Sequence, residues 1–173
     1  AEDEQADKKT EAVYALGIIK DNYFSDGGIT RGNYARLMMD FLNLEATDSG
    51  EDTRFIDVDT SNPAIGAVNA LYDMGYIEGY GAYIFKPEQG ITYGEAVNIM
   101  TAVMGYKDII KSAVNSYNVA ENLGLLEGVS YSRDEKITKN DVLILIFNSL
   151  KAKTAYVDSN GDLKLDSGET ALE

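Results

Sequence analysis

Three times in this chain the dipeptide Ile-Thr opens a strongly apolar segment, and that recurrence constrains the fold more than any other feature. The stretches are "GITRGNYARLM" from Gly28, "GITYGEAVNIM" from Gly90 and "KITKNDVLILI" from Lys136. Thr92-Tyr93-Gly94-Glu95 has the capping-box form, in which a Thr oxygen accepts from the N3 amide and the N3 carboxylate reaches back to the N-cap amide. Asp141 keeps a shorter acid at N3, and Asn33 keeps only an amide. Ile29, Ile91 and Ile137 stand at N′, where each can act as a hydrophobic staple. Each Ile-Thr therefore predicts a helix start.

Upstream of each start lies a second recurring element. Leu16-Gly17-Ile18-Ile19, Met74-Gly75-Tyr76-Ile77 and Leu123-Gly124-Leu125-Leu126 each read as a helix stopped by a glycine at C′ and followed by an apolar return. In the middle unit Phe55–Val58 reads as a short strand-like piece, and Asn62-Pro63 as an N-cap followed by Pro at N1. Ile65, Val68, Leu71 and Tyr72 then recur at helical spacing, which puts Tyr72, like Tyr76 and Tyr117, toward a core. The segments Tyr34–Leu44 and Val142–Leu150 are apolar nearly all round, as helices at the centre of a bundle are.

These patterns predict a mainly α fold: three pseudo-repeated helix-loop-helix units around a central three-helix bundle. The unequal spacing of Thr30, Thr92 and Thr138 fits repeats with variable loops. The units are 1–50, which includes part of the polar linker "EATDSGEDTR", then 51–106 and 107–152. A tail, 153–173, leads to a next domain. Asn160-Gly161 in that tail signals a short β-hairpin with a type I′ turn. An alternative reading makes Asp158, Asn160, Asp162, Lys164 (by its carbonyl), Asp166 and Glu169 an EF-hand-like calcium loop, although Leu163 stands where that loop needs Gly.

Composition narrows the chemistry. The chain has no cysteine and no histidine, which removes disulfide frameworks, Cys/His metal sites and His-based triads. Its net charge of −14, from 29 acidic and 15 basic residues, repels polyanions, so nucleic acid and anionic membranes are poor partners. No apolar run approaches the roughly 20 residues of a membrane span. Most acids sit in runs such as "AEDE" and "SGED" that read as solvated surface, so nothing marks a placed acid/base pair, and no enzyme and no cofactor are expected.

The residue after each Thr is not needed for capping. Arg31 and Lys139 are cations at N1, mildly unfavourable against the helix dipole. Exposed N-terminal amides beside them would welcome an anion; the competing reading is an ordinary solvated charge. Tyr93 fills the third N1 position.

The middle stretch, from Phe55 to Gly105, resembles an S-layer homology repeat. The matching features are Phe-x-Asp-Val, an Ala-Ile-x-Ala-like helix, Gly-x-Ile-x-Gly, Phe-x-Pro and an Ile-Thr-Arg-Ala-Glu-like second helix start. The flanking units look like degenerate copies, so the resemblance covers about residues 8–150. It implies a three-lobed spindle, non-covalent anchoring of a larger bacterial surface protein, and binding of secondary cell-wall polysaccharide, often through a pyruvate ketal. By that resemblance the motif arginine falls on Arg31, with Lys139 and Tyr93 at its two equivalents and Asp57 at the Asp of Phe-x-Asp-Val. The location implied is the cell wall or S-layer. An alternative is an assembly module that keeps the fold, has lost the glycan and pairs with other surface-protein domains.

Overall fold

The computed structural model describes residues 2–46, 53–112, 115–152, 155–160 and 163–165. The chain is mainly α. Its helices are α1 (Glu2–Ala15), α2 (Arg31–Phe41), α3 (Ile65–Asp73), α4 (Tyr93–Thr101), α5 (Lys107–Ser112), α6 (Ser116–Asn122) and α7 (Lys139–Lys151). Two short antiparallel pairs accompany them: β1 (Phe24–Ser25) with β2 (Gly28–Ile29), and β3 (Ala155–Val157) with β4 (Leu163–Leu165).

All three Ile-Thr sites start helices. The Thr30, Thr92 and Thr138 hydroxyl oxygens accept from the N3 amides of Asn33, Glu95 and Asp141 at 3.2, 3.3 and 3.1 Å. Only Thr92 completes the capping box, its amide donating to Glu95 Oε2 at 2.9 Å. The longer glutamate reaches back where Asp141 and Asn33 do not. Ile29, Ile91 and Ile137 are buried. The three glycine stops also hold: Gly17, Gly75 and Gly124 take φ of 72°, 74° and 74°, the left-handed region that only glycine enters without cost.

The segments before the threonines are joined to one another. Thr30 bridges to Gly90, Thr92 to Lys136, and Thr138 back to Gly28. At each joint the N1 amide of a helix donates to a carbonyl of another segment: Arg31 to Gln89 at 2.8 Å, Tyr93 to Glu135 at 3.0 Å, and Lys139 to Gly27 at 2.7 Å. These bonds close a ring from which α2, α4 and α7 all depart. Among the helices that precede the glycine stops, α3 packs on α2, α6 on α4 and α1 on α7. Each pair thus joins helices from two different sequence units, and α1 closes the circuit on the last helix. Tyr34, fully buried on α2, donates to the Ala96 carbonyl of α4 at 3.0 Å.

Two local expectations differ. Phe55–Val58 is a turn, with the Val58 amide donating to the Phe55 carbonyl. Phe55 and Val58 are buried at i and i+3 while Ile56 is 76% exposed, a pattern a strand could not produce. Helix α3 starts at Ile65, two residues after Pro63, because the Asn62 side chain caps the preceding turn through the Ala64 amide. The terminal hairpin exists, with Val157 paired to Leu163, and Gly161 of the expected Asn160-Gly161 turn lies outside the described residues. Of the alternative calcium ligands, Asp162, Asp166 and Glu169 lie outside the described residues, as does most of the linker after Ala46.

Gly79 marks a close approach. A Cβ there would lie 2.4 Å from the Phe55 ring and 2.5 Å from the Ile84 carbonyl oxygen. Gly79→Ala is therefore expected to destabilise the chain by about 1–3 kcal/mol, the usual range for overpacking, read as a lower urea midpoint. Gly81→Ala is the informative comparison, since nothing lies within 4 Å of a Cβ there and only its positive φ opposes the change.

Candidate functional site

The ring places Arg31 under cover. Its side chain is 5% exposed. Nε donates to the Phe85 carbonyl at 2.8 Å, Nη2 to the Glu78 carbonyl at 3.1 Å, and Nη1 pairs with Glu95 Oε1 at 3.0 Å. The guanidinium lies between the rings of Tyr80 and Phe85, at 4.7 and 4.5 Å. Tyr80 donates its hydroxyl to the same Glu95 oxygen. Glu95 thus serves two units at once, capping its own helix and holding the N1 arginine of α2.

Tyr93 repeats the arrangement one step on. Its hydroxyl donates to Asp141 Oδ2, the N3 acid of α7, and its ring is buried against Tyr131 at 6.0 Å. Burial, and then the Asp141 carboxylate, push the Tyr93 phenol up. In both joints, the N1 side chain of one capped helix meets the N3 acid of the next. Lys139 is half-buried, its Nζ 5.5 and 5.1 Å from the rings of Tyr14 and Phe24. Asp57 holds a loop: its carboxylate accepts from the Phe85 and Lys86 amides at 2.8 and 2.7 Å. The structure therefore does not bring the four sequence candidates into one cluster. Nor are the N1 amides open to an anion, since carbonyls from neighbouring segments occupy all three.

Two hollows adjoin along α4. The smaller, about 180 Å³, is lined by Arg31, Glu78, Tyr80, Glu95 and Asn98 among others. The larger, about 760 Å³, falls in the range of small-molecule sites and lies between α4, α6 and the loop before Ile137. Thr92, Glu95, Asn98, Tyr117, Tyr131 and Arg133 are among its walls. Glu95 and Asn98 line both. Tyr117 and Tyr131 form a tilted pair with centroids 4.9 Å apart. Residue-type reasoning missed Glu95, Tyr80 and the Tyr117/Tyr131/Arg133 wall. Helical spacing assigned Tyr117 to a core, whereas it lines the larger hollow; Tyr72 likewise is 41% exposed, against the edge of Phe55.

Residues 54–97 match the S-layer homology domain family. Over this segment the chain is similar to S-layer homology domains. The matched segment spans the Asp57 turn, α3, the Tyr80 loop and the capped start of α4. The chain is similar to a cell surface protein of Thermoanaerobacter kivui, 26% identical over 84% of this chain and 20% of that protein. It is also similar to the middle cell wall protein of Brevibacillus brevis, at 24% identity over 86% of this chain and 15% of that one. A surface layer protein of Brevibacillus choshinensis is 22% identical over 98% of this chain and 16% of its own length. The chain spans a fifth or less of these relatives. The matched segment and these relatives support a cell-surface location.

The Arg31–Glu95 joint carries a pH signature. Burial raises the Glu95 carboxyl, but the Thr92 amide, the Tyr80 hydroxyl and the Arg31 charge outweigh it and hold the group below its ordinary 4.5. A depressed folded-state value contributes stability that is present above the unfolded value and lost as pH falls through the folded one. Glu95→Gln should therefore lower stability at neutral pH and flatten the loss on acidification below about pH 4.5. Thermal melts across that window test this; acid limbs that stay parallel in the two proteins would contradict it.

Proposed function

We propose that this chain anchors a larger surface protein non-covalently to the bacterial cell wall by binding an acidic secondary wall polysaccharide, such as one bearing a pyruvate ketal. It does so by recognition, without catalysis. The family match and the cell-wall and surface-layer relatives support the anchoring role. The observation that carries the binding role is the pair of adjoining hollows along α4. Together they offer aromatic faces for sugar rings (Tyr80, Tyr117 and Tyr131), amides and carboxylates for hydroxyls, and arginines on either side. In this reading the segments 1–50, 51–106 and 107–152 are three S-layer homology repeats that share the ring. Arg31 bears on binding as a wall-former of the smaller hollow, Tyr93 by packing behind Tyr131 of the larger one, Asp57 by fixing the loop that carries Phe85, and Lys139 at the third joint.

Other partner classes fit less well. The charge of −14 opposes nucleic acid and anionic membranes, and no helix among the described residues is long and apolar enough to cross a membrane. One observation favours a second reading as an assembly module. Ile56 and Tyr83 are 76% and 65% exposed and adjoin through the Ile56 amide on the Tyr83 carbonyl at 2.9 Å.

Co-sedimentation with wall sacculi separates the two readings. Anchoring predicts that the chain pellets with polymer-bearing sacculi and stays in solution with sacculi stripped of polymer. Equal behaviour with both would remove the glycan from the account, and concentration-dependent self-association abolished by Ile56→Asp would favour assembly.

A further inference from the structure

The resemblance places a cation at N1 of each capped helix, yet no N1 side chain here offers an open cation to the larger hollow. Arg31 is hydrogen-bonded at all three nitrogens and stacked on two rings. Tyr93 has no positive charge and gives its hydroxyl to Asp141. Lys139 lies beside Tyr14 and Phe24, at another joint of the ring.

Arg133 is in a different state. It is exposed, and its guanidinium has no hydrogen-bond or ion-pair partner among the described residues, whereas Arg31, Arg36 and Arg54 all have one. It stands in the loop before Ile137 at the place Pro87 occupies before Ile91, in "YSRDEKIT" against "FKPEQGIT". The backbone there is fixed: the Arg133 carbonyl accepts from the Gly94 amide at 2.9 Å, as the Pro87 carbonyl accepts from Gly32 at 2.8 Å. A Cβ on Gly94 would lie 3.0 Å from Arg133 Cγ, so the absence of a side chain at Gly94 lets the arginine stem cross the start of α4. The head group then shares the larger hollow with Tyr117 and Tyr131.

We infer that Arg133 is the anion-reading residue of the larger hollow, binding the carboxylate of an acidic sugar whose ring packs on Tyr117 and Tyr131. This rests on the anchoring proposal and sharpens it by moving the charge contact from the N1 position to the neighbouring loop. A guanidinium matches a carboxylate through two parallel hydrogen bonds, and one with no such partner among the described residues exchanges water for them. Asp134 and Glu95 also line the hollow. Glu95 is already bonded to Arg31, Tyr80 and Thr92, and Asp134 is exposed and acceptor-only, suited to a sugar hydroxyl. Both acids disfavour a ligand that carries a negative charge and no hydroxyls.

The test uses purified secondary wall polymer, native and carboxyl-reduced, titrated against the wild-type chain, Arg133→Ala and Arg133→Lys by calorimetry. Losing a charge-assisted pair predicts that Arg133→Ala binds native polymer roughly 10- to 100-fold more weakly. Carboxyl reduction should weaken the wild type by a similar factor and Arg133→Ala by little more. Arg133→Lys should fall between, because it keeps the charge and loses the fork. Native polymer binding equally to wild type and Arg133→Ala would overturn the role of Arg133 and leave anchoring intact. Wild type that binds both polymers alike would overturn carboxylate reading. Wild type that binds neither would overturn anchoring as well, and retention of an acidic peptide in its place would identify a protein ligand.

Discussion

Arg31→Ala is expected to lower the unfolding free energy by about 3–5 kcal/mol, the cost of removing one partner from a buried, hydrogen-bonded charge pair. The loss has three components. The Phe85 and Glu78 carbonyls lose their donors, Glu95 keeps a half-buried carboxylate without its cation, and Tyr80 and Phe85 lose the plane between them. Arg31→Lys should recover little, since a point charge cannot replace a fork that serves three acceptors at once. Lys139→Ala, at the equivalent position, should cost about 1 kcal/mol or less, the scale of a partly exposed cation–π contact. Urea denaturation of the three variants checks this. An Arg31→Ala midpoint equal to that of Lys139→Ala would contradict the structural role of the arginine. Domains of this kind are stable by only about 5–15 kcal/mol, so lost wall binding in Arg31→Ala would first have to be separated from lost fold.

Asn148→Leu is the second large effect, at the opposite closure of the molecule. Asn148 is buried on α7 and donates through Nδ2 to the Leu125 and Glu127 carbonyls, both at 2.9 Å. Its Oδ1 accepts from Lys9 Nζ of α1 at 3.3 Å. One side chain therefore ties α7 to the return after Gly124 and to the helix that closes the circuit. Leucine conserves the volume and leaves two carbonyls without donors, at a cost of about 2–3 kcal/mol. Asn148→Asp should be no better, because it restores the acceptor for Lys9 and not the donors. The same denaturation experiment decides, and an unchanged midpoint for Asn148→Leu would show that water replaces the amide at no cost.

What the sequence shows and what it hides divide by range. Thr30, Thr92 and Thr138 cap helices through partners three residues away, and Gly17, Gly75 and Gly124 end them through bonds within a turn. Such features are written in a few adjacent letters. The pairings that build the hollows are not. Arg31 with Glu95, Tyr93 with Asp141 and Asp57 with the Phe85 amide join distant positions, and the unequal loops between units conceal the register. A cation after Thr reads equally as anion-binding or solvated until its partner is known. For Arg31 the answer is a third one: a cross-unit tie. Phe55–Val58 misleads for the same reason. It reads as a strand-like piece, but Asp57 turns to cap a loop 28 residues on and folds the segment into a turn. Arg133 carries no motif, and only the crossing over Gly94 gives it a place.

The most direct measurement is an amide-resolved NMR titration of the isotope-labelled chain with the oligosaccharide repeat released from purified wall polymer. The account predicts saturable shifts clustered at Asn98, Asn115, Tyr117 and Arg133, around the larger hollow. Shifts confined to the Ile56 and Tyr83 face, or none at saturating sugar, would contradict it.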